Sequence, residues 1–360
     1  MILRIPDYYR EFNCIGEKCR HNCCIGWGID IDEDSRDTYM ETEGEIGNRL
    51  REMIYCDEDG CYTFKMNGNR CPFLNNNNLC EIHISMGEDK LCTVCKEYPR
   101  YAEQFGDIIE KGIGLSCEEA GRIIFSDKNP VSFIDENIEG EAEDNDEDLY
   151  NMLISSREVL FGILQNRNYS VNARLCAALD YAGIIQQSIN KNQFEFNNIS
   201  IEIKERLDKK YNSAVLEIID FFDSLNARNE EWHEILHRTK ELLHNSEEDY
   251  IRVYRLLNIK TDERDYEKLL VYFIHRYYIK AMYDYDALAK VRLAAASYIM
   301  IRELDMAVIA GTKDFTLNDR IENSRLFSSE LEHSQENLDA LYDELMFNEL
   351  FSAESLKNML

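Results

Sequence analysis

The sequence predicts an α-rich protein with minor β, in which a loop-rich, cysteine-organised metal-binding domain is followed by an all-α helical domain. Three observations carry this expectation. Eleven of the twelve cysteines lie between Cys14 and Cys117. All four prolines and twelve of the sixteen glycines lie at or before Pro130. Beyond residue 149 there is no proline, and apolar residues recur at helical spacing.

Each part follows from its own composition. Residues 1–130 carry the turn-forming residues that break helices, so short elements joined by loops are expected there. Such loops let thiols converge from several directions. Residues 131–148 read as an exposed acidic linker, because nine of the fourteen residues in 135–148 are acidic and the run has no apolar face. Residues 149–360 read as seven to nine helices. The pattern is densest from Tyr266 to Ile309, where Leu269, Leu270, Phe273, Ile274, Tyr277 and Tyr278 form the wide stripe of a buried helix. Leu288, Val291, Ala295, Tyr298 and Ile299 begin a second one. Cys176 falls in this part, where a thiol packs as a small hydrophobe.

Charge and hydropathy narrow the function. A formal net charge of −29 over 360 residues repels phosphate backbones and excludes nucleic acid as the expected partner. The same charge tolerates a basic, lysine-bearing protein. No apolar run reaches the roughly 18 residues that a membrane span needs. The N-terminal residues do not read as a secretory leader. A cytoplasmic address is therefore expected, and there thiols stay reduced. Metal binding is then the stronger reading of the cysteines than disulfides.

The spacing C-x4-C-x3-C-C (Cys14, Cys19, Cys23, Cys24), followed by Gly26-Trp27, does not give a zinc ribbon. Only one C-x2-C pair occurs, Cys92 and Cys95, and it lacks a counterpart. Adjacent cysteines such as Cys23 and Cys24 suit a larger cluster or two separate roles. Gly26 stands where the third ligand of a C-x3-C-x2-C radical motif would fall. Cys56 and Cys61 flank the turn sequence Asp-Glu-Asp-Gly and are expected to face each other across a hairpin. Asp30 and Asp32 alternate with apolar residues as an edge strand does. His21 and His83 lie among the cysteines and read as surface imidazoles before ligands. Gly112 and Gly114 let the backbone turn as it approaches Cys117.

These pieces occur in a particular order: Phe12-x-Cys14, Cys19-x3-Cys23-Cys24, Cys71-Pro72-Phe73-Leu74, Leu79-Cys80-x-Ile82-His83, Cys95-x2-Tyr98-Pro99-Arg100 and Ser116-Cys117-x-Glu119-Ala120-x-Arg122. In that order residues 10–125 resemble the flagellin lysine-N-methylase family (FliB-like), within the broader CxxCxxCC iron- or zinc-chelating proteins. The helical remainder is similar in general character only. Glu118 departs from the family's usual proline after Ser-Cys, and the first spacing is longer than usual.

The resemblance implies an iron–sulfur cluster, of the 4Fe–4S type, on cysteines drawn from Cys14, Cys19, Cys23, Cys24, Cys71, Cys80, Cys95 and Cys117, with zinc as the alternative metal. It further implies methyl transfer from S-adenosylmethionine to lysine side chains of flagellin. Arg100 and Arg122 are candidates to meet the cofactor's carboxylate or to donate to cluster sulfur, against the default role of a lone arginine in a surface or helix-end ion pair, and the catalytic residues are not indicated. The competing reading is a non-catalytic iron- or zinc-chelating scaffold.

Overall fold

The computed structural model describes residues 1–360 except 27, 58–59, 195–200, 206–210, 228, 230 and 244–245. Two hydrophobic cores of very different size organise the half of the chain before the long helices. The smaller holds Ile29, Ile31, Tyr39, Leu50, Phe64, Phe73 and Ile82 together with the thiols of Cys71 and Cys92. Around it lie a three-stranded antiparallel sheet and four short helices. The strands are β2 (Asp30–Ile31), β3 (Ile54–Cys56) and β4 (Tyr62–Phe64), in the order β2-β4-β3; β1 belongs to the sheet described next. The helices are α1 (Glu33–Glu41), α2 (Gly44–Met53), α3 (Glu81–Met86) and α4 (Thr93–Glu97). Asp32 caps α1 by accepting from the Ser35 amide at 2.9 Å.

The second sheet has the order β5-β6-β1-β7, with β1 at Ile2–Pro6, β5 at Arg100–Phe105, β6 at Ile108–Ile113 and β7 at Phe133–Asn137. β5 and β6 form a hairpin that turns at Gly106, whose φ of 59° an L side chain rarely adopts. Gly112 faces Tyr101 across this hairpin; a Cβ there would lie 2.2 Å from the Tyr101 hydroxyl, so only glycine leaves room for the ring. β7 covers the outer edge of β1, antiparallel from Ile2↔Asn137 to Pro6↔Phe133.

The start of the expected acidic linker is therefore strand. Two of its acids are neutralised on the neighbouring strand and turn, Asp135 by Arg4 and Glu136 by Arg10. Nor does residue 130 divide the cores. Tyr8, Phe12, Phe105, Ile113 and the apolar face of α5 (Glu118–Ser126) pack into the same large core as the helices.

That core is built by α6 (Glu147–Leu164), α7 (Val171–Asn190), α8 (Ala214–Ser224), α9 (Glu231–Leu243), α11 (Glu263–Tyr277), the single turn α12 (Ala281–Asp284), α13 (Ala287–Thr312), α14 (Leu317–Leu331), α15 (Gln335–Phe347) and α16 (Ala353–Met359), while α10 (Glu247–Lys260) packs its Tyr250, Val253 and Leu257 with Met306 and Ile309 of α13 in a separate small cluster. This is eleven helices among the described residues, more than the seven to nine expected. The breaks between them rest on capping side chains rather than proline: Asp146, Ser170, Ser246, Asp262, Asp286, Thr316, Ser334 and Ser352 each accept a bond from an amide of the first turn. α13 is the buried axis, apolar on nearly every side, and it packs against α7, α9, α11 and α14. Its few charges are met inside the protein: Asp305 accepts from Tyr266, Arg320 and Asn323, and Glu303 from Tyr250. No helix among the described residues is long and apolar enough to cross a membrane.

Candidate functional site

The cysteines gather where the small core meets the rest of the protein. Cys71 and Cys92 are buried in that core, and Cys24, Cys80 and Cys95 pack against it. The backbone ties the pieces together, with the Cys71 amide donating to the Cys24 carbonyl at 2.9 Å and a bridge pairing Leu74 with Cys80. These five thiols are electrostatic neighbours of one another. Cys14, Cys19, Cys23 and Cys117 form a second, adjoining set, with Cys23 a neighbour of both. Cys117 lies against the large core, at the N-terminus of α5.

Cys80, Cys92 and Cys117 stand immediately before α3, α4 and α5, where amides of the first turn point toward sulfur. Burial nevertheless pushes the Cys71 thiol up to about 11 and the Cys117 thiol up to about 12, the amides that bond each sulfur opposing it only in part.

All eight cysteines singled out from the sequence fall in this region. Cys92 joins them, although the resemblance did not indicate it; its spacing from Cys95 is the signal that could have found it. Cys56 and Cys61 lie apart on the β3–β4 hairpin, where Cys56 opposes Tyr62. Cys176 packs on α7. His21 pairs at 2.6 Å with Glu322 of α14, and His83 is exposed on α3.

Nine thiols in two adjoining sets suit a thiolate-bound metal in the chemistry and number of their donors. Their positions are looser than a bound ion requires: among the described residues no three His, Cys, Asp or Glu side chains are grouped to hold one.

Beside the thiols opens a cleft of about 670 Å³. Its volume is within the range of small-molecule sites. The walls come from both cores. The cleft's acidic lining residues are Asp30, Asp32, Glu33 and Glu97. The Asp32 carboxyl is held down to about 2. Burial alone would raise it, but bonds from the Thr93 and Ser35 amides outweigh that effect. Arg100, Tyr101, Ser116, Arg276 and His333 also line the cleft. Arg100 lies over the Phe12 ring at 4.9 Å and donates to the Phe12 carbonyl. Arg122 does not line the cleft; it is half exposed on α5 and paired with Glu119 three residues earlier.

Arg276 is fixed more firmly than Arg100. Its guanidinium stacks 4.5 Å from the Tyr101 ring centroid, donates to the Tyr272 hydroxyl at 2.6 Å and pairs with Glu332 at 3.2 Å. Glu332, its side chain fully buried, also accepts from Tyr272, Tyr277 and Ser328. Burial lowers the basicity of Arg276, yet the charge of Glu332 overrides this and holds the guanidinium firmly protonated. The cleft thus holds a permanent cation and a group of carboxylates. Arg276 comes from α11 and His333 from the turn after α14, far along the chain, and no local motif marked them.

A cleft shared by a thiol-rich module and a capped helical bundle defines a two-part α-rich protein. Comparison with known proteins places it further. Residues 157–359, more than half of the 360, match the family described as the FliB lysine N-methylase C-terminal domain. The chain belongs to this family. The match lies on the helical part, which on sequence was similar only in general character, rather than on the cysteine segment.

The chain is similar to the lysine-N-methylases of Salmonella typhimurium (strain LT2) and Salmonella choleraesuis, 23% identical to each over 140 residues, which is 37% of this chain and 35% of each relative. It is also similar to the flagellar biosynthetic protein FliU of Salmonella muenchen, 22% identical over 134 residues, 35% of this chain and 79% of the relative. The chain thus spans about a third of the length of the two lysine-N-methylases. No solved structure matches it.

Proposed function

We propose that this chain is a protein lysine N-methyltransferase that uses S-adenosylmethionine, with flagellin as the acceptor and an iron–sulfur cluster in the cysteine module. The observation that carries the reading is the cleft, lined by arginines and carboxylates and walled in part by residues of the family-matched segment. Its form suits a zwitterionic cofactor and a cationic acceptor. Arg276 and Arg100 would meet the cofactor's carboxylate, in the bidentate manner that favours arginine. Asp32 and Glu97 would meet its ammonium group. When bound, S-adenosylmethionine supplies an electrophilic methyl carbon on a sulfonium.

The protein's own task is to align that carbon with an uncharged lysine nitrogen and to remove the nitrogen's proton beforehand. Tyr62, Tyr98 and Tyr101 line the walls, and aromatic faces favour cations of both kinds. The exposed carboxylates of Asp30, Glu33 and Glu97 at the rim, backed by the net charge of −29, attract a lysine-bearing surface.

The cluster would take four ligands from Cys14, Cys19, Cys23, Cys24, Cys71, Cys80, Cys92, Cys95 and Cys117. When bound it would fix the segments that carry the acidic lining residues, a role zinc would fill equally. Anaerobic purification with metal analysis tests this part. Brown protein with about four irons per chain supports the cluster, and colourless protein with stoichiometric zinc contradicts it. Calorimetry tests the cleft: Arg100→Gln should weaken S-adenosylmethionine binding by roughly tenfold, the loss of one charge-assisted bond. Unchanged affinity would remove Arg100 from the site.

A further inference from the structure

Three cleft-lining side chains from separate segments are joined by hydrogen bonds. The Tyr98 hydroxyl, between α4 and β5, donates to the Ser116 hydroxyl at 3.2 Å. Ser116, between β6 and α5, is buried, and its oxygen lies 2.7 Å from His333 Nε2, just beyond the end of α14. The Tyr98 and His333 rings also contact, with centroids 5.9 Å apart. Because Ser116 accepts from Tyr98, its own proton is directed at Nε2, which selects the tautomer with a lone pair there. The three groups form a directed chain that begins on the cleft wall and ends on an imidazole.

We propose that Tyr98, Ser116 and His333 are the proton-accepting relay of the methyl transfer, with His333 the general base. The inference rests on the methyl-transfer reading. A lysine ammonium has no lone pair and is not a nucleophile; an ordinary lysine, with a pKa near 10.4, is almost wholly in that form at about pH 7. In the relay, the ammonium N–H bond breaks and its proton passes to the Tyr98 hydroxyl as the Tyr98 proton moves to Ser116 and the Ser116 proton to Nε2. The positive charge moves from lysine to imidazolium. The freed lone pair then forms the N–C bond while the C–S bond breaks, and the sulfur leaves as a neutral thioether.

Among the described residues, the titratable and charged groups that share the cleft with His333 are Cys61, Tyr62, Tyr98, Tyr101, Arg100, Arg276, Asp30, Asp32, Glu33 and Glu97, and Cys23, Cys117 and Arg325 neighbour Tyr98. Glu332, the chain neighbour of His333, is engaged by Arg276 and two tyrosines.

The test is the pH dependence of methyl transfer to flagellin by the full chain and by His333→Gln, Ser116→Ala and Tyr98→Phe. His333→Gln should lower kcat about 100-fold or more near pH 7, the usual contribution of a positioned base. The deficit should shrink to less than about tenfold near pH 10, where the substrate amine is largely neutral without help. Ser116→Ala should behave likewise, with the KM for S-adenosylmethionine unchanged in both. Tyr98→Phe, which removes only a hydroxyl, should fall in between and fold normally. A deficit that stays constant across pH, or no deficit, overturns the relay and leaves the methyltransferase reading standing. Failure of the unaltered chain to methylate any lysine overturns both.

Discussion

Removing the Glu332 carboxylate should destabilise the helical body more than any change at the protein surface. The side chain is wholly buried and accepts from Tyr272 at 3.0 Å, Tyr277 at 2.8 Å and Ser328, while Arg276 pairs with it at 3.2 Å. In Glu332→Ala the Arg276 guanidinium, 16% exposed where it lines the cleft, loses its counter-charge, a change that costs up to about 3–5 kcal/mol. The orphaned hydroxyls add less than their full desolvation, because the Tyr272 oxygen still accepts from Arg276 and from the Leu115 amide. Glu332→Gln keeps the shape and one acceptor and should cost about 1.5–3 kcal/mol, the worth of charge-assisted bonds. Urea unfolding followed by helical circular dichroism, with the exposed Glu217→Ala as a control expected to change little (within about 0.5 kcal/mol), reads these differences from the midpoint at constant slope. A loss below about 1 kcal/mol for Glu332→Ala would refute the view that this carboxylate anchors Arg276.

Other outcomes follow from the same physics. Burial holds the His275 imidazole down to about 4, the carboxylate of Glu110 opposing it only in part. The unfolded chain titrates near 6.5, so this contribution to stability is complete above that pH and is lost as pH falls toward 4, by up to roughly 3 kcal/mol. The stability of His275→Phe should therefore fall less between pH 7 and 4.5 than that of the unaltered chain, and parallel curves would contradict this. Glu322 is held down to about 2; burial would raise it, but His21 and Arg325 outweigh burial. Its clamp on the cysteine module is present above roughly pH 4.3 and weakens as pH falls toward 2. Glu322→Gln should speed amide exchange around residues 16–26 at neutral pH, and unchanged exchange would show that the clamp is inert. Cys71→Ser should lower bound metal while Cys176→Ser leaves it unchanged; equal metal in both would remove Cys71 from the ligands.

The helical half was legible because its most apolar stretch has a single period. α11 and α13 fall where Leu269 to Tyr278 and Val291 to Ile299 placed them. Their number was not, since capping side chains such as Ser246 and Thr316 end helices without the proline or glycine that announces a break. The acidic run from residue 135 hid β7, because Arg4 and Arg10, more than a hundred residues earlier, supply the charges that let Asp135 and Glu136 sit on an edge strand. The boundary at residue 130 followed the glycines and prolines, whereas Phe12, Ile113 and α5 follow their apolar contacts into the large core. Within the site, Arg100 and the cysteines stood out through local motifs. Arg276, Glu332 and His333 did not, because what distinguishes them is burial and mutual geometry assembled across α11 and α14.

The central claim is methyl transfer to lysine, and intact-protein mass spectrometry of flagellin tests it most directly. Flagellin incubated with the full chain, loaded with its metal under anaerobic conditions, and with S-adenosylmethionine should gain mass in steps of one methyl group, with fragmentation placing each on a lysine nitrogen. Flagellin of unaltered mass, under conditions where the chain is folded and binds S-adenosylmethionine, would contradict it.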